Sequence, residues 1–268
     1  MKTYNKVLSI AGSDSGGGAG IQADIKSISA CGCFATTAIT AITAQNTVGV
    51  TDIHPIPIST LKAQINAVLE DIGTDSVKIG MLHNSETILA VKECLINHKI
   101  SNIVLDPVMV ATSGNKLLED EAIETLKEDL IPIAKIITPN IPEAEILLNK
   151  KIDNQNQLPE FAKELGEKFK VSVLLKAGHL EDDNLIDILF DYDNKSISKL
   201  KSKRVYTKNT HGTGCSLSSA LASFLAKGLN IKEAAQNAKD FINQAIIEGK
   251  EYKIGEGHGA VKHFYKFW

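Results

Sequence analysis

The sequence predicts an α/β protein: a three-layer α/β/α sandwich on a mainly parallel central sheet, with a small antiparallel edge. Three observations predict it. Short apolar runs, suited to strands buried on both faces, alternate with runs of helical periodicity through most of the chain. The alternation breaks in one region, 185–206, which reads as a hairpin. Finally, six strand runs end in glycine or polar residues, as they do where such a sheet gathers a ligand at its carboxyl edge.

The elements follow in order. "KVLSIAG" reads as a buried strand, and "GIQADIKSISACG" as a helix with Ile21, Ile25 and Ile28 on one stripe. "FATTAITAI" is a strand, and "ISTLKAQINAVLEDIG" a helix that buries Leu61, Ile65, Val68 and Ile72. "SVKIGML", "NIVLDPV", "AKIITPN" and "VSVLLKAGH" are further strands, separated by helices that include "SETILAVKECLINHK" and "LPEFAKELGEKF". In 185–206 the two strands are divided by Asp-Asn, and two helices close the chain. With no repeat, low-complexity tract or linker, 1–268 is expected to be a single domain.

Composition excludes several function classes. The 268 residues are 43% hydrophobic with a net charge of −3, and the dispersed Lys and Arg make no nucleic-acid surface. The amino-terminal apolar run is too short for a signal-peptide core. No charge occurs between Lys26 and Asp52, but Ser and Thr crowd this stretch, so a buried helix and strand fit better than a membrane span. Cys31, Cys33, Cys94 and Cys215 form no metal-like pattern and suit a reducing cytoplasm.

The strand ends carry the chemistry: Gly12-Ser13-Asp14, Gln45-Asn46, Gly80-Met81, Asp106-Pro107, Thr138-Pro139-Asn140 and Lys176-Ala177-Gly178-His179. "GSDSGGGAG" is not a Walker loop, because Ile21-Gln22 stands where the lysine would be; its glycines bring backbone close to a small planar ligand. Asp24, one turn into the next helix, either faces that ligand or is solvated. In "HGTGC", Gly212 and Gly214 free successive N–H groups to form an anion nest at a helix start, where the dipole also favours a Cys215 thiolate. Asn140 and Glu143 flank another helix start and suit a hydrated Mg²⁺ on nucleotide phosphates, although Glu143 also suits a plain first-turn role. Asp106 is a second candidate for metal or substrate, and Lys176 emerges from an apolar strand towards phosphate. His179 and His211 are read as hydrogen-bonding residues or phosphate donors and not as the base.

The motifs "IAGSDSGGGAGIQADIK", "TAITAQNT", "KIGML", "VLDPVMVATSG", "TPNIPEAE", "LLKAGHL", "NTHGTGC" and "GEGHGAVKHF" run through nearly the whole chain. In this order the sequence resembles the hydroxymethylpyrimidine/phosphomethylpyrimidine kinases of thiamine biosynthesis, within the ribokinase-like superfamily. The resemblance implies two successive phosphate transfers from ATP, with Mg²⁺, to 4-amino-5-hydroxymethyl-2-methylpyrimidine, in a protein that usually dimerises. Pyridoxal kinase of the same architecture is the alternative, and "AQN" and "KAGH" favour the pyrimidine. Cys215 stands where many ribokinase-like relatives have an aspartate base. Ala177 departs from the family, which usually has a second glycine there.

The site expected from residues and resemblance together has Cys215 as proton acceptor on the Gly212-Thr213-Gly214 turn. Gly12, Asp24, Gln45, Met81 and Val108 are expected at the pyrimidine, with Gln45 on its amino edge. Asn140, Lys176, Thr210 and His211 are expected at ATP, and Asp106 and Glu143 at the metal. Adenine is sought near the last two helices and the 205–211 turn.

Overall fold

A computed structural model describes residues 2–109, 117–178 and 183–268. The first half runs β1 (Lys6–Asp14), α1 (Gly20–Ala30), β2 (Phe34–Gln45), β3 (Val50–Pro55), α2 (Ile58–Ala67), β4 (Ser76–Ile79), α3 (Ser85–Asn97), β5 (Ile103–Leu105) and α4 (Asp120–Thr125). The second runs β6 (Ile136–Ile137), α5 (Ile141–Leu148), α6 (Leu158–Phe169), β7 (Ser172–Leu175), β8 (Asn184–Asp191), β9 (Ser196–Lys203), α7 (Thr213–Ala226) and α8 (Ile231–Gly249).

The strands make one sheet in the order β3-β2-β1-β4-β5-β6-β7-β8-β9. From β2 to β7 every pairing is parallel. Alternate residues of the same strand enter different cores, which is why the strands read as unbroken apolar runs. Leu8, Ile103, Leu105 and Ile137 pack with α2, α3, α5 and α6 on one face. Val7, Val104, Ile136 and Leu174 pack with α1, α7 and α8 on the other. The expected three layers are therefore present.

Three expectations are corrected. The sheet has two antiparallel edges: besides β7-β8-β9, β3 pairs antiparallel with β2. No residue of β3 is buried, so it lacked an apolar signature. In α1, Ile21 and Ile28 are buried but Ile25 is 39% exposed, and Asp24 and Ser27 take the inward positions between them. Of the residues expected to be buried by the second predicted helix, Leu61 and Ile65 are, whereas Val68 and Ile72 lie in a wider turn beyond α2 and Ile72 is exposed. Among the described residues no helix is long and apolar enough to cross a membrane.

Candidate active site

β2 and β4 lie on opposite sides of β1, so the chain leaves β1 in both directions and opens a crevice at its carboxyl end. A cavity of about 760 Å³ follows this edge of the sheet, lined by residues from Gln45 at the end of β2 to Arg204 beyond β9 and by α7 and α8. From β2 to β7 alone the crevice spans five ladders, roughly 24 Å, which accommodates a small ring and a nucleotide end to end.

At the β1 end the glycine turn folds around Asp14. Its carboxylate accepts the amide hydrogens of Gly16 at 2.8 Å, Gly18 at 3.0 Å and Ala19 at 2.7 Å, and contacts His211 Nε2 at 2.9 Å. Although burial opposes ionisation, these donors hold the Asp14 carboxyl below its ordinary value. His211 also lies 3.3 Å from the Gln45 amide nitrogen. His211, expected at ATP, is thus engaged by Asp14 and Gln45 at the β1–β2 end, while its residue lines the same cavity as Asn140 and Lys176. Gly12, Met81 and Val108 line the same cavity, and a Cβ on Gly12 would stand 3.0 Å from Met81 Sδ.

α7 starts at the next wall. Gly212 is its N-cap in the left-handed conformation (φ 76°), and a Cβ there would lie 1.8 Å from the Gly18 carbonyl oxygen. Only glycine lets the two turns meet this closely. Cys215 then occupies the first helical turn, where the Gly20 backbone at the start of α1 favours its thiolate. Neighbouring Ser216 is 2.9 Å from Nε2 of His263, whose buried imidazole is pushed down to about 4 and stays neutral.

The expected thiolate is not the resting form. Burial pushes the Cys215 thiol up to about 11, with Asp24 and Asp106 adding to the rise and Lys78 opposing it. The helix start alone does not overcome desolvation and two carboxylates.

Beyond β5 to β7 stands a charged cluster. Lys176 Nζ is 3.0 Å from Asp106 Oδ1, which also accepts the Thr138 hydroxyl at 2.9 Å. Asn140 and Glu143 form a reciprocal cap on α5, with side chain to backbone distances of 2.8 and 2.9 Å. Burial pushes the Glu143 carboxyl up to about 7, Asp106 reinforcing the rise and Lys176 countering it. Its role at the helix start is thus real, but its environment is that of a charge-poised site residue. A Cβ on Gly214 would approach both Lys176 Nζ and Asp106 Oδ2, at 3.4 and 3.5 Å.

Asp24 requires the clearest correction. It is fully buried behind the cavity wall, where it accepts from Ser9 Oγ at 2.6 Å and Ser219 Oγ at 2.7 Å and pairs with Lys78 Nζ at 2.9 Å. Its hydrogen-bonding capacity serves the protein. Lys78, equally buried but among the residues that line the cavity, was missed because it sits in the apolar run "SVKIGML". A lysine in a strand buried on both faces was the available signal, since such a charge requires a partner.

A second missed pair lines the far end: Lys239 Nζ meets Asp187 Oδ2 at 2.6 Å, and Asp187 Oδ1 accepts the Ala177 amide at 2.8 Å. Ala177 has no left-handed backbone, so alanine brings no strain there. Thr210, Thr213, Leu217, Val205, Ile242 and Asn243 face the cavity. His179 and most of the "VMVATSG" segment lie outside the described residues.

The architecture is that of the ribokinase-like kinases. The structure of an ADP complex of Bacillus subtilis pyridoxal kinase is similar with a TM-score of 0.89 and 35% identity, covering 97% of this chain and 98% of that one. Phosphomethylpyrimidine kinase from Clostridium difficile 630 is similar with a TM-score of 0.80 and 44% identity, over 90% of this chain and 99% of that one. In sequence, the hydroxymethylpyrimidine/phosphomethylpyrimidine kinase of Haemophilus influenzae is 45% identical over 267 residues, 98% of each chain. The chain spans about half of another relative, the thiamine biosynthesis bifunctional protein of Geobacter sulfurreducens: 45% identity over 257 residues covers 96% of this chain and 52% of that protein. The phosphomethylpyrimidine kinase family model matches residues 14–262, and the chain belongs to that family.

Proposed function

We infer that the protein is an ATP-dependent kinase that phosphorylates 4-amino-5-hydroxymethyl-2-methylpyrimidine to its monophosphate and then to the diphosphate, for thiamine biosynthesis. The observation that carries this reading is near full-length identity of 45% to a hydroxymethylpyrimidine/phosphomethylpyrimidine kinase, on a chain whose cavity is lined by Gln45, Met81, Lys176 and Cys215. The single continuous sheet supports reading 1–268 as one kinase domain.

The pyrimidine occupies the β1–β5 end, with the Gln45 amide on its amino edge and Met81 and Val108 against the ring. Gly12 allows the ring to approach the backbone. The nucleotide lies towards β8, β9 and α8, its adenine between Val205 and Ile242 and its phosphates towards Thr210, Asn140 and Lys176. The Gly212-Thr213-Gly214 turn directs backbone N–H groups at the transferred phosphoryl group, where fixed dipoles stabilise spreading negative charge.

Asp106 and Glu143 suit Mg²⁺. No grouping of three or more His, Cys, Asp or Glu that could hold a metal ion occurs among the described residues. Two carboxylates beside a phosphate site are the donor set of an ion that otherwise keeps water and substrate oxygens. Such an ion supplies neutralisation of phosphate charge.

Cys215 acts as base once ionised. Its sulfur takes the hydroxymethyl proton as that oxygen bonds to the γ-phosphorus; the bond from phosphorus to the β–γ bridging oxygen breaks, and ADP carries away its electron pair. The thiol then loses its proton to solvent before the next turnover. A homodimer and a cytoplasmic location belong to the same proposal, supported by apolar Phe34 and Ile42 exposed on β2 and by four free cysteines.

Incubation with Mg-ATP and either the pyrimidine or pyridoxal, with products weighed by mass spectrometry, tests the assignment. Mono- and then diphosphate from the pyrimidine, with little pyridoxal phosphate, is the expected result. Preferential phosphorylation of pyridoxal would overturn the substrate and the role given to Gln45.

A further inference from the structure

The most unusual buried group in the molecule is the ammonium of Lys78. Its side chain and that of its partner Asp24 are both 0% exposed, at a separation of 2.9 Å. Buried ion pairs add little stability over well-packed apolar residues, so a pair in this position calls for another role. Its location indicates one. Asp24 Oδ1 accepts from Ser219, which lies one turn beyond Cys215 on α7, and thereby fixes the pair against that face of the helix. Lys78 and Cys215 line the same cavity, and Gly20, whose backbone favours the Cys215 thiolate, opens the helix that carries Asp24.

We propose that Lys78 is a positioning residue for phosphoryl transfer: held in place by Asp24, its ammonium group supplies a fixed positive charge behind Cys215 and stabilises the thiolate that accepts the substrate's proton. Its use in catalysis rests on the reading of Cys215 as base. The charged groups acting on the sulfur come from four elements. Lys78 from β4 favours the thiolate, Asp24 from α1 and Asp106 beyond β5 oppose it, and Lys176 beyond β7 interacts with it. Among those acting on the sulfur, Lys78 is the largest influence that favours ionisation, and Asp24 holds it firmly protonated. Asp24 therefore has two effects: its own charge disfavours the thiolate, while it keeps in place the cation that favours it.

The test uses the rate at which iodoacetamide alkylates Cys215 in the full chain between pH 7 and 9, with the modified residue located by mass spectrometry. No substrate is needed, so this readout is independent of which compound the enzyme phosphorylates. Lys78→Gln keeps a donor towards Asp24 and removes the charge; Lys78→Arg keeps the charge in a bulkier group. The expected result is a drop of about tenfold or more in the Gln variant, equivalent to one pH unit in the thiol, with the Arg variant close to wild type. The same order in kcat, with KM for the pyrimidine little changed, is expected in turnover. Equal alkylation rates in Gln and Arg variants would overturn the proposal, because a purely structural lysine would be disturbed at least as much by Arg. If Lys78→Gln does not fold, the neutral pair Asp24→Asn with Lys78→Met carries the test. Its expected drop is smaller, about threefold, because the opposing carboxylate is lost with the ammonium; an unchanged rate in that folded pair would equally overturn the proposal.

Discussion

Cys215→Ser lowers kcat by about 10²–10⁴-fold, the range associated with loss of a positioned general base, and leaves KM for the pyrimidine little changed. Serine fits the same helical turn and leaves the Gly212-Thr213-Gly214 backbone in place, so the anion nest survives. Its hydroxyl is a far weaker acid than the thiol and offers no accessible anion to take the proton. The loss therefore falls on the transition state, about 3–5 kcal/mol by the rate equation. Initial-rate kinetics and a melting curve separate this from misfolding: kcat falls and the melting temperature stays near wild type. Turnover within a few-fold of wild type would remove Cys215 from the chemistry.

Lys176→Met lowers kcat by roughly 10²–10³-fold, as removal of a fixed charge from a phosphoryl-transfer site does. Here the cause is twofold. The ammonium is 3.0 Å from Asp106, and it is the cation that counters the upward push on Glu143. Without it, two buried carboxyl groups face the cavity uncompensated. Glu143, already at about 7, is driven higher and spends more of the neutral range protonated. The variant therefore shows its activity limb displaced to higher pH as well as a lower plateau. A loss of kcat with no displacement would show that Lys176 acts on phosphate alone.

Much of this arrangement was legible in the sequence, for a physical reason. A strand buried on both faces must be apolar along its length, so Leu8, Val7 and their equivalents announce the parallel sheet directly. Once the chain must break at six strand ends, glycine and polar residues there have a shared location, and Gln45, Asp106, Lys176 and Cys215 all line one cavity. What stayed hidden depended on pairing across the fold. Asp24 and Lys78 are 54 residues apart, and neither signals the other along the chain. His211 reaches back 197 residues to Asp14, turning a histidine beside a phosphate-like nest into a brace for the opposite turn. β3 was hidden because its side chains are outside the core, so pairing with β2 is the whole of its structural signature. The thiolate expected of Cys215 failed quantitatively: a helix start contributes a modest field, and burial beside two carboxylates outweighs it.

Replacement of Cys215 by aspartate supplies the decisive comparison. With the thiol at about 11 and Glu143 at about 7 in the free enzyme, two ionisations govern kcat/KM. Above pH 7, Glu143 is charged, and the rate constant climbs about tenfold per pH unit as the thiol ionises; below pH 7 both groups must lose protons, and the slope approaches two. The measurement is this pH profile for wild type and Cys215→Asp. Even raised by the same surroundings, an aspartate ionises far below a thiol, so the Asp variant is expected to rise below pH 7 and to level off above it, with turnover well above that of Cys215→Ser. Parallel profiles in wild type and Cys215→Asp, or a wild-type profile already flat above pH 7, would contradict Cys215 as the proton acceptor.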